Sequence, residues 1–156
     1  FSVVYRPNNN PVFDQVIKKS RGDVEHYIER NDIRGLVKHL KKGKAVWYAP
    51  DQDYGTQHAV YAPFFGVPAA TITATARIAR MSKAVVVPIA HYRLAKGHYR
   101  IEIGPALTDF PTRDDLVDAT KVNQTIEHYV NKAPEQYLWV HRRFKHQADG
   151  KNFYCK

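Results

Sequence analysis

From its first residue to about residue 50 the chain alternates short apolar runs with capped amphipathic segments, and that alternation confines it to an α/β arrangement. Ser2–Tyr5 reads as a short strand. Asn10 is placed to cap a helix with Pro11 at its first position, where a missing N–H costs nothing. Phe13, Val16 and Ile17 supply that helix's apolar face, Lys18, Lys19 and Arg21 its basic end, and Gly22 its stop. Glu25–Arg30 reads as a second short strand around Tyr27 and Ile28. Asn31 is the expected cap of a second helix, with Ile33, Leu36, Val37 and Leu40 at helical spacing and Gly43 at the end. The run Lys38-His39-Leu40-Lys41-Lys42 suits the negative pole of that helix.

A strand Ala45–Ala49 follows, then a Gly/Pro/aromatic stretch, Tyr54–Pro68, that reads as a loop. A helix rich in small residues is expected over about Thr71–Ser82. Ala84-Val85-Val86-Val87-Pro88-Ile89-Ala90 is a near-continuous apolar run, the pattern of a strand buried on both faces. His91–Leu94 and His98–Ile103 flank Ala95-Lys96-Gly97 as a hairpin. A long helix is expected from about Arg113 to Asn131, broken by Pro134. The sum is an α/β fold: a mainly parallel sheet flanked by helices, with one antiparallel extension.

A length of 156 residues favours one domain. The net charge of +9 points to anionic partners: nucleic acid, an acidic protein, a phospholipid surface or a phosphorylated substrate. The single Cys155 excludes an intrachain disulfide and fits a reducing compartment. No signal peptide and no apolar run of ~18 residues is present. The chain starts at Phe1, directly in a core strand, and its one methionine is Met81. It therefore reads as the C-terminal piece of a longer polypeptide, or a processed or trimmed product.

Three strand ends deliver polar groups to what should be one sheet edge: Arg6, Asp51 with Asp53, and His91 with Arg93. Ligands in open α/β sheets bind just beyond the carboxyl ends of strands. Each residue also has a structural alternative. Arg6 suits an ion pair, and Asp51 suits a turn before Gly55. His58, in the loop after Asp51, is a candidate general base of the kind a carboxylate orients. No histidine pair has metal-binding spacing near a carboxylate, and no cysteine cluster exists, so neither metal nor cofactor is expected.

The segment Gln136-Tyr137-Leu138-Trp139-Val140-His141-Arg142-Arg143-Phe144-Lys145-His146 mixes aromatics with cations. As a functional feature it captures anions, since guanidinium forks suit phosphate and carboxylate. As a structural one it is a helix end with a solvated basic rim. No zinc-finger spacing, RNP-like aromatic pattern or helix-turn-helix accompanies it, so nucleic acid is not the expected partner. Lys18-Lys19-Ser20-Arg21 and Lys38–Lys44 read as solvated helix ends or as a landing surface for anionic lipid.

Four blocks, in order, resemble the late acyltransferases of lipid A biosynthesis, the lauroyl and myristoyl transferases of Gram-negative bacteria. They are Val4-Tyr5-Arg6-Pro7, then Trp47-Tyr48-Ala49-Pro50-Asp51-Gln52-Asp53-Tyr54-Gly55, then Ala79-Arg80-Met81-Ser82 running into Val87-Pro88, and last Ala133-Pro134-Glu135-Gln136-Tyr137 into His141-Arg142-Arg143-Phe144. The wider glycerolipid acyltransferase superfamily is similar in a looser pattern, through Arg6, Pro50-Asp51 and Val87-Pro88.

The resemblance implies that residues 1–156 are the C-terminal portion of a single acyltransferase domain. It implies a glycerolipid-acyltransferase-like fold and transfer of a fatty acyl chain from acyl carrier protein to a hydroxyl of a phosphorylated lipid A precursor. The implied location is the cytoplasmic face of the bacterial inner membrane, on an anionic membrane surface.

The family's catalytic motif is a histidine followed five residues later by an acid. None of the eight histidines here has an acid in that position, so the general base is not expected in this chain. The resemblance assigns Arg6 to oxyanion or phosphate stabilisation, and Asp51, Asp53, His141, Arg142 and Arg143 to substrate binding. Two rivals remain: a non-catalytic basic module binding anionic lipid or nucleic acid, and a phospholipid-type acyltransferase using coenzyme A.

Overall fold

In the computed structural model the described residues are 1–22, 24–150 and 153–154. The expectation for Cys155 lies outside them. The chain divides into two compact units: Phe1–Ala49 with Met81–Ala84, and Pro50–Arg80 with Val85–Lys156.

The first unit is a parallel sheet with two crossover helices. Its strands are β1 (Ser2–Tyr5), β2 (His26–Glu29) and β3 (Val46–Trp47), and its helices are α1 (Pro11–Ser20) and α2 (Ile33–Lys41). The strand order is β2-β1-β3, with β1 parallel to both neighbours. The first crossover therefore steps to one side of β1 and the second returns to the other. The carboxyl ends of β1 and β3 then lie side by side at a reversal of strand order, the place where open α/β sheets bind ligands.

Local chemistry sets the boundaries. Asn10 Oδ1 accepts hydrogen bonds from the Val12 and Phe13 N–H groups at 3.0 and 3.2 Å, satisfying two orphan donors of the first turn. Gly22 takes φ 63° just past the helix, as the sequence reading expected of a stop. The cap of α2 is Asp32, not Asn31, and it accepts from the Gly35 N–H at 2.8 Å. Gly35 leaves room for this cap, because a Cβ at that position would meet the Asp32 carboxylate and displace it. Val3, Ile28 and Leu36 form the buried centre of the unit.

The second unit is built on antiparallel hairpins. Strands β4 (Ala59–Phe64) and β5 (Val67–Ile72) pair across a two-residue turn, Phe65-Gly66. Both turn residues have positive φ, 48° and 75°, the geometry of a tight primed hairpin turn. The stretch expected to be a loop is therefore mostly strand. Its prolines misled the reading. Phe64↔Val67 closes the turn, so Pro63↔Pro68 is the next, non-hydrogen-bonded pair, where neither residue owes the ladder an N–H.

Helix α3 (Ala74–Ser82) follows, then strands β6 (Ile89–Arg93) and β7 (Tyr99–Ile103), joined through Ala95–Gly97 as expected. Helix α4 (Asp115–Val130) starts at its cap Asp114, which accepts from the Leu116 and Val117 N–H groups at 2.8 and 3.1 Å. It packs on β4 and β5, and Ala62, Phe64, Ala69, Ala70, Ala119 and Val122 are the core. Arg80 ties α3 to α4 through Asp115 and the buried Asp118, at 3.2 and 3.1 Å.

Two expectations are corrected. The run Ala84–Ala90 is not a strand buried on both faces: β6 begins only at Ile89, and Val85 is 71% exposed. In this segment Val86 O accepts from the Leu107 N–H and Pro88 O from the Gly104 N–H, both at 2.9 Å. Nor is the pairing mainly parallel. The described residues form one three-stranded parallel sheet and two separate antiparallel pairs. None of the described helices is long and apolar enough to cross a membrane.

Candidate functional site

Arg6 stands immediately after β1, the central strand of the first unit, and is exposed. Pro7 follows it and turns the chain toward the Asn10 cap. Among the described residues the Arg6 guanidinium has no ion-pair or hydrogen-bond partner. Among the described residues the internal ion pair considered from sequence is not formed. What remains is a free five-donor cation at the carboxyl edge of a parallel sheet, able to grip phosphate or a developing oxyanion.

The other candidates lie in the second unit. Asp51 and Asp53 are two residues apart and have different surroundings. Asp53 is 2% exposed and both of its oxygens are occupied. Oδ1 accepts from the Gly55 N–H at 2.9 Å and faces His146 Nδ1 at 2.8 Å, while Oδ2 accepts from the His146 N–H at 3.1 Å. Asp51 is half-buried, and among the described residues its carboxylate is unengaged. Its backbone carbonyl accepts from the Tyr137 hydroxyl at 2.9 Å. Burial pushes the Tyr137 phenol upward and the Asp51 charge adds to the shift, so the phenol stays a donor.

Arg143 is the centre of a buried polar network. It is 2% exposed. Nη1 donates to Ala70 O at 2.7 Å, and Nη2 donates to Thr71 Oγ1 at 2.8 Å and Asn123 Oδ1 at 3.3 Å. Asn123 Nδ2 donates to Pro63 O and Thr71 Oγ1 at 2.9 and 3.0 Å, and the Thr71 hydroxyl donates to Ala69 O at 2.9 Å. The guanidinium also lies over the Phe64 ring, 5.1 Å from its centre. Burial lowers the pKa of Arg143, opposed by the carboxylates of Asp53 and Asp51. The fork that looked like an anion trap in the sequence thus clasps β5 and α4, with Asp53 and Asp51 as counter-charges.

His141 and Arg142 flank that buried anchor. His141 Nε2 is buried and without a partner among the described residues. Arg142 adopts a left-handed backbone, φ 56°, which turns its side chain outward while Arg143 turns in. Its guanidinium stands over the Tyr154 ring at 5.9 Å and is otherwise exposed. Trp139 is half-exposed at the rim of an aromatic cluster with Phe65 and Tyr137, its Nε1 donating to Pro134 O at 2.8 Å.

His91 sits mid-strand in β6 and is exposed. The backbone of Arg93 is clasped by the Gln136 side chain in both directions, at 2.8 and 3.1 Å. His58 is exposed, and among the described residues only its carbonyl is engaged, by Thr73.

Sequence reasoning missed three residues of this network: Asn123, Tyr137 as a hydrogen-bond donor, and His146. An asparagine beside Val122 and Ala119 on the core-facing side of the helix was a usable signal for the first. Nothing local signals the Asp53–His146 contact. Among the described residues no group of three or more His, Cys, Asp or Glu is arranged to hold a metal.

An α/β chain with a free arginine beyond a parallel strand, and a Pro-Asp-x-Asp turn in its second unit, matches one family model. Residues 1–146 fit the model of the bacterial lipid A biosynthesis acyltransferases. The chain belongs to this family. It is similar to the lipid A biosynthesis lauroyltransferase of Escherichia coli K12, 42% identical over 151 residues that are 94% of this chain and 49% of that protein. The palmitoleoyltransferase of the same organism is also 42% identical, over 95% of this chain and 49% of its own length. The myristoyltransferase is 31% identical over 96% of this chain and 47% of its own length. The chain spans about half the length of these curated relatives.

Proposed function

We propose that this chain is the acceptor-gripping portion of an enzyme that transfers a fatty acyl group from acyl carrier protein to a hydroxyl of a phosphorylated lipid A precursor, at the cytoplasmic face of the inner membrane. The acceptor oxygen attacks the thioester carbonyl, the carbon–oxygen ester bond forms and the carbon–sulfur bond breaks. The hydroxyl proton goes to a base and then to the departing thiolate. That base is a histidine held by an acid, and it lies outside these 156 residues. Arg6 stabilises the oxyanion or a substrate phosphate. Asp51, His141 and Arg142 are assigned to substrate binding, and Asp53 and Arg143 hold the segments that carry them.

The observation that carries the reading is the free guanidinium of Arg6 at the carboxyl end of the central β1 strand, within a family match that runs from residue 1 to residue 146. The net charge of +9 supports it, because a phosphorylated acceptor and an acidic carrier protein are both anionic.

The test is acyl transfer from acylated carrier protein to a lipid A precursor. A full-length protein containing this chain is expected to turn over, and the purified 156 residues are expected to give only background. General base catalysis is worth ~10²–10⁴-fold. Robust turnover by the short chain would place the base inside it, with His58 the first candidate. Preference for acyl coenzyme A would replace the donor. No transfer by the full-length protein with either donor would sink the reading.

A further inference from the structure

Helix α2 has two faces with different fates. Leu36 is buried in the first unit. On the adjoining face Ile33 and Val37, with Met81 from the end of α3, floor a surface groove of about 390 Å³. Its rim is Arg34, Lys38, Lys41 and Lys42. These cations recur at three- and four-residue spacing, so they share one side of the helix.

Lys18, Lys44, Arg80 and Lys132 each meet a carboxylate. None of the four rim cations pairs with one among the described residues, and α2 itself contains no acid. Like charges at this spacing repel, and helix surfaces ordinarily interleave carboxylates to prevent it. An unneutralised basic rim around an exposed apolar floor fits an anionic amphiphile.

We propose that this face of α2 docks on an anionic phospholipid surface. Headgroup phosphates meet the four cations, and Ile33, Val37 and Met81 enter the boundary between headgroups and acyl chains. Three of the cations are lysines, whose long stems let the ammonium stay at headgroup level while the helix's apolar side sits deeper. The groove is lined only by apolar and cationic side chains, with no neutral hydrogen-bonding group to fix the register of a protein partner. The proposal deepens the reading above, in which the acceptor is a lipid, but its test needs no acyl transfer.

The experiment is co-sedimentation of the 156-residue chain with vesicles of equal parts phosphatidylglycerol and phosphatidylcholine, and with pure phosphatidylcholine vesicles. Binding is expected to the first only. The variant Lys38→Gln/Lys41→Gln/Lys42→Gln is expected to lose about a hundredfold in partitioning, from roughly fivefold per lysine near an anionic surface. The control Lys96→Gln/Arg100→Gln/Arg113→Gln removes the same charge from exposed positions elsewhere and is expected to lose less than about threefold.

Equal losses in the two variants would mean that net charge alone drives binding and would overturn the proposal. So would full binding by a natively folded α2 variant. If that variant unfolds, hydrogen exchange on the parent chain decides: protection of amides 33–42 by vesicles supports the proposal, and its absence overturns it. Tighter α2-dependent binding to acyl carrier protein than to vesicles also overturns it. A full-length α2 variant that loses vesicle binding yet still acylates detergent-dispersed acceptor supports the proposal and leaves the acyltransferase reading intact. Loss of transfer with vesicle binding kept would count against both the docking role and α2's independence from chemistry.

Discussion

The end of β1 and the C-terminal tail both offer arginine, and they use it in opposite ways. Arg6 is exposed, and among the described residues its guanidinium makes no hydrogen bond or ion pair. Arg143 is buried, with hydrogen bonds to Ala70, Thr71 and Asn123 and the Phe64 face beneath it. A cation with its donors satisfied inside the unit is committed to holding it together. A cation with five idle donors at a strand's carboxyl edge is available to a ligand. Substitutions at the two sites should therefore separate stability from chemistry.

Arg143→Ala carries the largest expected effect. It removes donors from Ala70 O and Thr71 and leaves Asn123 Oδ1 without its partner in a dry interior. Breaking such a buried charged contact costs ~3–5 kcal/mol, a large share of the stability of a small domain. Arg143→Lys should recover only part of it, because one ammonium cannot serve Ala70 O and Thr71 Oγ1 as a planar fork does. Urea unfolding of all three proteins checks this. A midpoint unchanged by Arg143→Ala would end the comparison.

Arg6→Ala in a full-length enzyme is the counterpart. The expected loss is in kcat/KM, equivalent to ~2.7–4 kcal/mol of transition-state stabilisation, with the melting temperature held. A fallen melting temperature with normal kinetics would turn Arg6 into a structural residue and reverse the contrast.

The same logic divides the aspartates. Asp53→Ala strands the Gly55 and His146 N–H groups and removes a counter-charge from Arg143. A buried unsatisfied group costs ~1–3 kcal/mol, which thermal unfolding will register. Asp51→Asn is expected to stay within ~0.5 kcal/mol of the parent, since its carboxylate is unengaged and asparagine keeps the turn preference. Its effect should appear in turnover by the full-length enzyme. Equal destabilisation by the two substitutions would show that Asp51 too is part of the frame.

Much of the first unit was legible because its signals are local. Asn10-Pro11, Gly22 and Gly43 punctuate helices through their own backbone chemistry, and the cap of α2 was misplaced by one residue only because Asn31 and Asp32 are both good caps. The hairpin of the second unit was not legible. Pro63 and Pro68 spoil a strand pattern unless the register is known, and the register depends on the turn at Phe65-Gly66. The division of labour between Arg142 and Arg143 was equally hidden. Adjacent residues in one basic cluster are equivalent in sequence, and only the fold, with a left-handed backbone at Arg142, leaves one exposed and the other buried.

That division sets the smallest and last test. Removing both arginines together would mostly report unfolding through Arg143 and say nothing about the surface. Arg142→Ala alone removes an exposed charge whose one observed contact is the Tyr154 ring, so stability should change by less than ~1 kcal/mol. Binding to acyl carrier protein should weaken a few-fold at low salt. The difference should fade as salt rises, because exposed charges are screened beyond ~8 Å at physiological ionic strength. Isothermal titration of parent and variant across a salt series measures both quantities. A variant that binds as the parent does at low salt would leave Arg142 a solvated rim residue and restrict the tail's role to the buried clasp. A steep salt slope for a nucleic-acid oligomer, with tighter binding than the carrier protein shows, would move the basic-module alternative ahead of acyl transfer.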